Sequence, residues 1–99
     1  MMVQVRKSQW TFLSNYGHVL VALSRDPDAR VRDIADNVGI TERAVQQIIA
    51  ELVEEGYLTK EKVGRRNRYE VLGNMYLRHE RESQVTVDDF LELIAGSKA

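Results

Sequence analysis

Apolar side chains recur at helical spacing near the start of the chain, at Trp10, Phe12, Leu13, Tyr16, Leu20 and Leu23. This spacing predicts a first helix. Ser14 or Asn15 can cap its start, because short polar side chains accept hydrogen bonds from the free N–H groups of a first turn. We expect the helix to end near Arg25, because Pro27 biases the residue before it away from helical geometry.

This first helix is apolar nearly all round. Val21 and Ala22 lie opposite the side that carries Leu20 and Leu23. A helix that is apolar on both sides is normally buried on both sides. We therefore expect a second cover for it, and in so small a domain another subunit can supply that cover.

The next segment joins a short β-branched run to a short helical pattern. Residues 29–31 predict a minimal strand, and residues 32–37 predict a second helix. The inward-facing positions of that helix are Ile34, Ala35 and Val38. Gly39 supplies the positive φ that a tight turn after a helix requires.

A longer amphipathic pattern follows and predicts a third helix over residues 41–55. Thr41 is suited to cap its start, and Gly56 is suited to end it. One face of this helix is apolar and consists of Val45, Ile48, Ile49 and Leu52. That face is expected to pack against the core.

The remaining pattern predicts a hairpin and a short last helix. Residues 57–63 and 68–72 alternate and contain β-formers, and residues 64–67 join them as a loop with glycine and asparagine. Thr86 with Asp89 three residues later forms an acidic variant of the capping box. The helix that it opens places four apolar residues on one side, namely Val87, Phe90, Leu91 and Ile94.

The predicted fold class is mainly α with a small antiparallel β-hairpin. In chain order the elements are helix, minimal strand, helix, helix, strand, hairpin tip, strand and helix. Residues 1–9 show no clear periodicity and are expected to form a flexible arm. Residues 10–72 form the expected domain, and residues 73–99 form a C-terminal extension that contains the short amphipathic helix.

Length and composition favour one ordinary globular domain. The chain has 99 residues, of which 43% are apolar and 29% are charged, so wholesale disorder is not expected. No cysteine is present, which excludes disulfides and thiolate chemistry. The chain shows neither a signal-peptide pattern nor an apolar run long enough to cross a membrane. We expect a soluble cytoplasmic protein.

The charges are unevenly distributed, although the net charge is only −1. Seven basic residues lie between Tyr57 and Arg81, namely Lys60, Lys62, Arg65, Arg66, Arg68, Arg78 and Arg81. Three glutamates oppose them there, namely Glu61, Glu70 and Glu80. Acidic residues gather elsewhere, at Glu51, Glu54, Glu55, Asp88, Asp89 and Glu92. A polyanion therefore has one favoured side from which to approach.

The polar face of the third helix carries residues able to recognise bases. Arg43, Gln46 and Gln47 lie on or beside this face, together with the small Ala50. Arginine can contact guanine with two hydrogen bonds, and glutamine can do the same to adenine. The alternative is that these side chains are only the solvated face of an amphipathic helix.

Three arginines within four residues mark the hairpin tip, namely Arg65, Arg66 and Arg68. Their mutual repulsion contributes nothing to a core, whereas a nearby polyanion would relieve it and release counterions. Arg66 is predicted at the tip, in reach of a minor groove, and the other two beside the backbone. Lys62, just before the tip, belongs to the same candidate set. The alternative is a solubilising loop, since charges at sheet edges also deter aggregation.

Arg32 stands at the predicted N-cap of the second helix, where Ser, Thr, Asp or Asn is preferred. A helix N-terminus attracts anions, so Arg32 can clamp a phosphate there. It can equally pair with Asp28 or Asp36. The sequence leaves both interpretations open.

Residues 12–72 resemble the winged helix-turn-helix domain of MarR/ArsR-like bacterial and archaeal transcriptional regulators. The resemblance is carried by the motifs VRDIADNVGI, TERAVQQIIAELVEEGYL and VGRRNRY. It implies sequence-directed binding to double-stranded DNA by a homodimer, with residues 41–55 in the major groove and residues 63–68 on the backbone or minor groove. It assigns base reading to Thr41, Arg43, Gln46 and Gln47, and backbone or minor-groove contact to Arg65, Arg66 and Arg68.

We expect the first helix, with the C-terminal helix as a second contributor, to form the contact between subunits. The chain lacks the cysteine ligands of many metal-sensing regulators and the long extra helices around the effector pocket of MarR-type dimers. No small-molecule effector and no cofactor are therefore predicted.

Other chemistry has little support in the sequence. His18 and His79 are the only histidines and have no ligand-like spacing, so neither a metal site nor an enzyme is expected. Two alternatives to DNA binding remain open, a winged helix that binds protein and one that binds RNA. The aromatic residues Trp10, Phe12, Tyr16, Tyr57, Tyr69 and Phe90 are predicted to pack in the core.

Overall fold

A computed structural model describes residues 10–96 of the chain. Its helices are α1 (Asn15–Arg25), α2 (Val31–Val38), α3 (Glu42–Glu54) and α4 (Val87–Ala95), with a short 3-10 turn at Glu80–Glu82. Its strands are β1 (Leu58–Val63) and β2 (Arg66–Val71), which pair as an antiparallel hairpin. The predicted fold class, mainly helical with a small hairpin, is confirmed. The predicted arm, residues 1–9, lies outside the described residues.

Three predicted helix caps are present. The Ser14 and Thr41 hydroxyls each accept a hydrogen bond from a backbone N–H in the first turn of their helix, at 3.4 Å and 3.0 Å. At the start of α4, Thr86 and Asp89 exchange both bonds of a capping box. These bonds satisfy N–H groups that have no partner within a helix.

Two predicted glycine stops are also confirmed. Gly39 follows α2 with a φ of 88°, and Gly56 follows α3 with a φ of 89°. Side chains are strained in this left-handed region, and glycine is not. The chain can therefore turn sharply from α2 into α3 and from α3 into the hairpin.

One hydrophobic core holds the described elements together, with α1 at its centre. The fully buried side chains are Val19, Leu23, Ile34, Val45, Leu58 and Val87. Val21 and Ala22, on the other side of α1, are partly buried against the same core. The second cover expected for α1 therefore comes at least partly from the chain itself.

The minimal strand predicted over residues 29–31 is wrong. A turn closes this segment, with Ala29 N donating to Asp26 O at 3.0 Å, and α2 takes over at Val31. Only one backbone hydrogen bond links the segment to the hairpin, from Tyr69 N to Pro27 O at 3.1 Å. Five residues between two helices leave too little chain for both a turn and a paired strand.

The start of α2 also differs from the prediction. Arg30, rather than Arg32, occupies the N-cap position, and its side chain makes no capping bond. Arg32 is the second residue of the helix, so it does not occupy the N-cap position, where Ser, Thr, Asp or Asn is preferred.

The hairpin turn is shorter than predicted. Val63 pairs with Arg66, so the turn consists of Gly64 and Arg65 rather than residues 64–67. Gly64 has a φ of 66°, as the first central residue of a II′ turn requires. Arg66 therefore belongs to β2, and Arg65 is the arginine at the tip.

Three aromatic residues predicted in the core are exposed instead. Trp10 and Phe12 precede α1 and are 67% and 92% exposed, and their rings meet edge to face with centroids 5.1 Å apart. Tyr16, in the first turn of α1, is 43% exposed. Tyr57 and Tyr69 are buried as predicted.

The C-terminal helix is integral to the core. Val87 is fully buried and Leu91 is 9% exposed, and α4 packs against α1. Within residues 10–96, none of the helices combines the length and apolar character needed to cross a bilayer.

Candidate nucleic-acid interface

The exposed face of α3 carries the predicted base-reading residues. Arg43, Gln46, Gln47 and Ala50 are exposed. The opposite face is buried and consists of Val45, Ile48, Ile49 and Leu52. Packing of the apolar face therefore determines which side of α3 points outward. In the first half of the helix, this outward side is polar, and Glu42 is its one acidic residue.

Thr41 has a structural task at this site. Its Oγ1 accepts the hydrogen bond from Ala44 N at 3.0 Å, which holds the first turn of α3. A hydroxyl that accepts through oxygen keeps its own O–H as a donor. Thr41 can therefore cap α3 and still donate to a phosphate or base.

Arg32 lies across from the start of α3. Its Nε is 3.8 Å from Glu42 Oε2, and the two side chains are 73% and 56% exposed. Neither Asp28 nor Asp36, the two predicted partners, pairs with it in the described structure. Exposed ion pairs of this kind contribute about 0–1 kcal/mol, so Arg32 can leave Glu42 for a phosphate at little cost.

Two wing arginines are already engaged within the chain. Arg68 Nη1 pairs with Asp28 Oδ2 at 3.1 Å, and Arg66 Nη2 donates to the backbone oxygen of Asp28 at 3.0 Å. Arg66 and Arg68 are two residues apart on β2, so their side chains share one face of the hairpin. Asp28 therefore gathers both guanidinium groups beside the segment that precedes α2.

Arg65 differs from these two arginines. It lies at the hairpin tip, is exposed, and makes no ion pair with the described residues. The prediction that placed Arg66 at the tip is wrong, because the turn contains two residues rather than four.

The predicted wing cations do not share one face. Lys62 pairs with Asn67, whereas Arg66 and Arg68 pair with Val63 and Glu61. Because directly opposed residues of an antiparallel pair project to the same side, Lys62 lies on the opposite face from the two arginines. The hairpin therefore presents Arg65 at its end and basic groups on both faces.

Asp28 is the residue that sequence reasoning missed. It was considered only as a partner for Arg32, whereas it contacts Arg66 and Arg68, which lie 38 and 40 residues further along the chain. No local pattern connects positions so far apart. The only available signal was the excess of arginine near the hairpin tip, which favours a carboxylate neighbour.

Apart from Glu42, the acidic residues of α3 lie in its second half. Further along, Glu51 accepts a hydrogen bond from the Tyr16 hydroxyl, and Glu55 Oε1 lies 4.0 Å from Arg78 Nη2. Glu54 is exposed on the same side as Gln47 and Ala50. These carboxylates would repel a phosphate backbone, whereas the front of the helix carries no such cluster.

Within residues 10–96, no three histidine, aspartate or glutamate side chains come together as ligands for a metal ion. His79 Nδ1 accepts a hydrogen bond from Arg81 N at 3.0 Å and lies 3.9 Å from Glu82 Oε1. These contacts organise the 3-10 turn.

Residues 18–59 match a family model described as winged helix-turn-helix DNA-binding. No curated protein matches the sequence. Among solved structures, the chain is similar to the zinc-dependent MarR family transcriptional regulator AdcR in the Zn(II)-bound state. The identity is 18% and the TM-score is 0.49, and the similarity covers 99% of this chain and 71% of that chain.

The matched stretch runs from within α1 to the second residue of β1, so it contains α2, the turn at Gly39, and α3. The hairpin that follows is the wing of this architecture. The prediction of a winged helix-turn-helix domain is therefore confirmed by the element order and by the family match. The described chain has the winged helix-turn-helix fold.

Proposed function

We propose that this protein binds double-stranded DNA and acts as a transcriptional regulator of the MarR/ArsR-like type. The observation that carries the proposal is the exposure of Arg43, Gln46 and Gln47 on the front half of α3, directly before a basic hairpin. Second helices of helix-turn-helix units enter the major groove through their N-terminal residues. The family match, described as DNA-binding, supports the same function.

We assign base recognition to the front of α3. Arg43 is suited to guanine, and Gln46 and Gln47 are suited to adenine. Ala50 is small enough to allow close approach or to contact a thymine methyl group. Thr41 and Arg32, at the start of α3 and beside it, are assigned to the phosphate backbone.

The wing has a different task in the proposal. Arg65, at the tip, is assigned to the minor groove, and Arg66 and Arg68 are assigned to phosphates beside it. Lys62, on the opposite face of the hairpin, extends contact to the neighbouring phosphates. Such contacts position a protein on DNA without reading its sequence.

We further propose that the protein acts as a homodimer in the cytoplasm, through α1 and α4. Leu93 and Ile94 on α4 are 83% and 43% exposed, which gives a dimer contact an apolar surface. Two copies would then place their α3 helices in successive major grooves, with half-sites about 34–36 Å apart.

A winged helix that binds protein is the second candidate function. The net charge of −1 and the engagement of Arg66 and Arg68 by Asp28 favour it, because both reduce attraction to a polyanion. Exposed Arg65 and Arg43 favour nucleic acid. An RNA-binding winged helix is the third candidate, and competition between duplex DNA and duplex RNA separates it from the first.

Salt dependence of binding to a random-sequence DNA duplex tests the proposed function. With about three to five phosphate contacts per subunit, log K should fall against log salt with a slope of about −3 to −4.5 per subunit. Fluorescence anisotropy of a labelled duplex supplies this slope. Binding that salt leaves unchanged, or no binding at low salt, would rule out the DNA proposal and favour a protein partner.

A further inference from the structure

A groove of about 750 Å³ opens between α1, the second half of α3 and α4. Its walls and floor are largely apolar and include Phe12, Tyr16, Leu20, Leu52, Tyr57 and Phe90. Sites that hold small organic molecules have volumes of about 300–1,000 Å³ and similar apolar walls. The groove is therefore large enough for such a molecule.

The rim of this groove is strongly acidic. The charged residues that line it within residues 10–96 are four glutamates and one arginine, namely Glu51, Glu54, Glu55, Glu82 and Arg78. Among residues 10–96, four carboxylates and one guanidinium leave an excess of three negative charges around an apolar concavity. Net charge of this size in one cleft focuses an attractive potential on a cation.

Contacts among residues 10–96 neutralise little of this charge. Arg78 Nη2 lies 4.0 Å from Glu55 Oε1, at the limit for an ion pair, and both side chains are more than half exposed. Glu51 accepts the Tyr16 hydroxyl through Oε1, which adds no positive charge. Glu54 makes no ion pair with the residues that the structure describes.

We propose that this groove binds a small organic cation whose charge is carried on an aromatic or branched apolar body. The apolar walls accept the body of the molecule, and the rings of Phe12 and Tyr16 attract its charge through their π faces. The rim carboxylates supply the counter-charge. An anion of the same shape gains the apolar contacts but meets repulsion from the rim.

The proposed dimer contact uses Leu93 and Ile94 of α4, which do not line the groove. Charge argues against a second copy of the chain inside the groove itself. A two-fold contact through this groove would bring two acidic rims together, and like charges across an interface oppose association. A nucleic acid is disfavoured for the same reason. The concave shape and the excess of carboxylates together suit a compact cation.

Tetraphenylphosphonium and tetraphenylborate provide a matched pair of probes, because they have nearly the same shape and opposite charges. Titration calorimetry gives the affinity of each for the full-length protein. Trp10 is the single tryptophan and its ring lies 5.1 Å from that of Phe12, so its fluorescence reports occupancy independently. We expect one phosphonium per chain, bound at least about tenfold more tightly than the borate.

Substitutions locate the probe. Glu54→Gln with Glu82→Gln removes two rim charges and is expected to weaken phosphonium binding by about three- to tenfold. Phe12→Ser should weaken it as well, and it should not affect folding because Phe12 is 92% exposed. The matched control, Glu61→Gln with Glu70→Gln, removes two exposed wing carboxylates and should leave the affinity unchanged.

Several outcomes would overturn the proposal. The borate binding as tightly as the phosphonium would show an apolar groove without charge selection. Equal effects of the rim and wing substitutions would place the probe elsewhere, and absence of binding would exclude the site. If sedimentation velocity shows a dimer that the phosphonium dissociates, the groove is occupied by a second copy instead.

Discussion

Asp28 places a negative charge beside two arginines of the wing. Its carboxylate pairs with Arg68, and its backbone oxygen accepts from Arg66. In the proposed DNA complex, this carboxylate would compete with phosphate for Arg68. Asp28 thus holds Arg66 and Arg68 close together, but its carboxylate also reduces the positive charge around them.

Asp28→Asn removes that charge and leaves the backbone bond to Arg66 intact. We expect binding to random-sequence duplex DNA at low salt to tighten by about two- to fivefold, with a loss of folding stability of less than about 1 kcal/mol. Anisotropy and urea unfolding measure the two effects. Glu92→Gln, an exposed charge change on α4, is the control. Weaker binding after Asp28→Asn would mean that Asp28 orients the arginines rather than competing for them.

Tyr16 and Glu51 form a hydrogen-bonded pair at the edge of the groove. The hydrogen bond from the Tyr16 hydroxyl to the Glu51 carboxylate raises the pKa of Tyr16 above its ordinary value of 10.0. Because the bond requires a protonated phenol, its contribution to stability is present below about pH 10 and is lost as pH rises through the raised pKa.

Glu51→Gln should therefore lower the pKa of Tyr16 toward its ordinary value. Phenolate absorbance during an alkaline titration measures this shift, and subtraction of the Tyr16→Phe titration isolates Tyr16 from the other tyrosines. An unchanged titration in the Glu51→Gln variant would show that the hydrogen bond does not persist in solution.

The stability of α3 depends on its N-terminal cap, Thr41. Thr41→Ala removes the bond to Ala44 N and should destabilise the protein by about 0.5–2 kcal/mol, whereas Thr41→Ser should retain most of that stability. Urea unfolding distinguishes the two variants. Equal destabilisation by Thr41→Ala and Thr41→Ser would show that the methyl group, rather than the hydroxyl cap, stabilises the start of α3.

Substitutions at Gln47 and Arg65 separate base recognition by α3 from minor-groove contact by the wing. Gln47→Ala should cost about 1–3 kcal/mol on the preferred DNA site and much less on random sequence. Arg65→Ala should weaken binding to both by a similar factor. Affinities for a selected site and for random duplex test this, and uniform weakening by both substitutions would contradict the assignment.

Local sequence signals located most of the elements but could not settle their connections. The caps at Ser14, Thr41 and Thr86 act on N–H groups of the next turn, so a few neighbouring residues determine them. The two-residue hairpin turn depends on register along two whole strands. The contact between Asp28 and Arg68 depends on how α1, α2 and the hairpin pack, which no local pattern encodes.

At the candidate nucleic-acid interface too, local signals predicted some features, and features that depend on long-range register were missed. The outward direction of Arg43, Gln46 and Gln47 followed from the buried apolar face of α3, and that prediction agrees with their exposure. The tip position of Arg65 depended on the hairpin register, and the sequence pattern assigned it to Arg66. Trp10 and Phe12 were expected in the core because the helical spacing was extended past the cap at Ser14.

Across the whole molecule, basic and acidic side chains gather on different surfaces. The wing is basic, the first half of α3 is neutral because Glu42 and Arg43 cancel, and the second half of α3 borders the acidic groove. A net charge of −1 hides this separation. This separation would favour a polyanion at the wing and a small cation at the groove, which are the two ligands proposed above.

Backbone amide shifts in an NMR titration with a short DNA duplex test whether α3 and the wing bind DNA, because these shifts report which surface the DNA covers. We predict changes concentrated at residues 41–50 of α3 and at Gly64 to Arg66 of the wing, with little change along α4. Changes centred on α4 or on the groove that Phe12, Tyr16 and Phe90 line, with the front of α3 unaffected, would rule out DNA binding through α3.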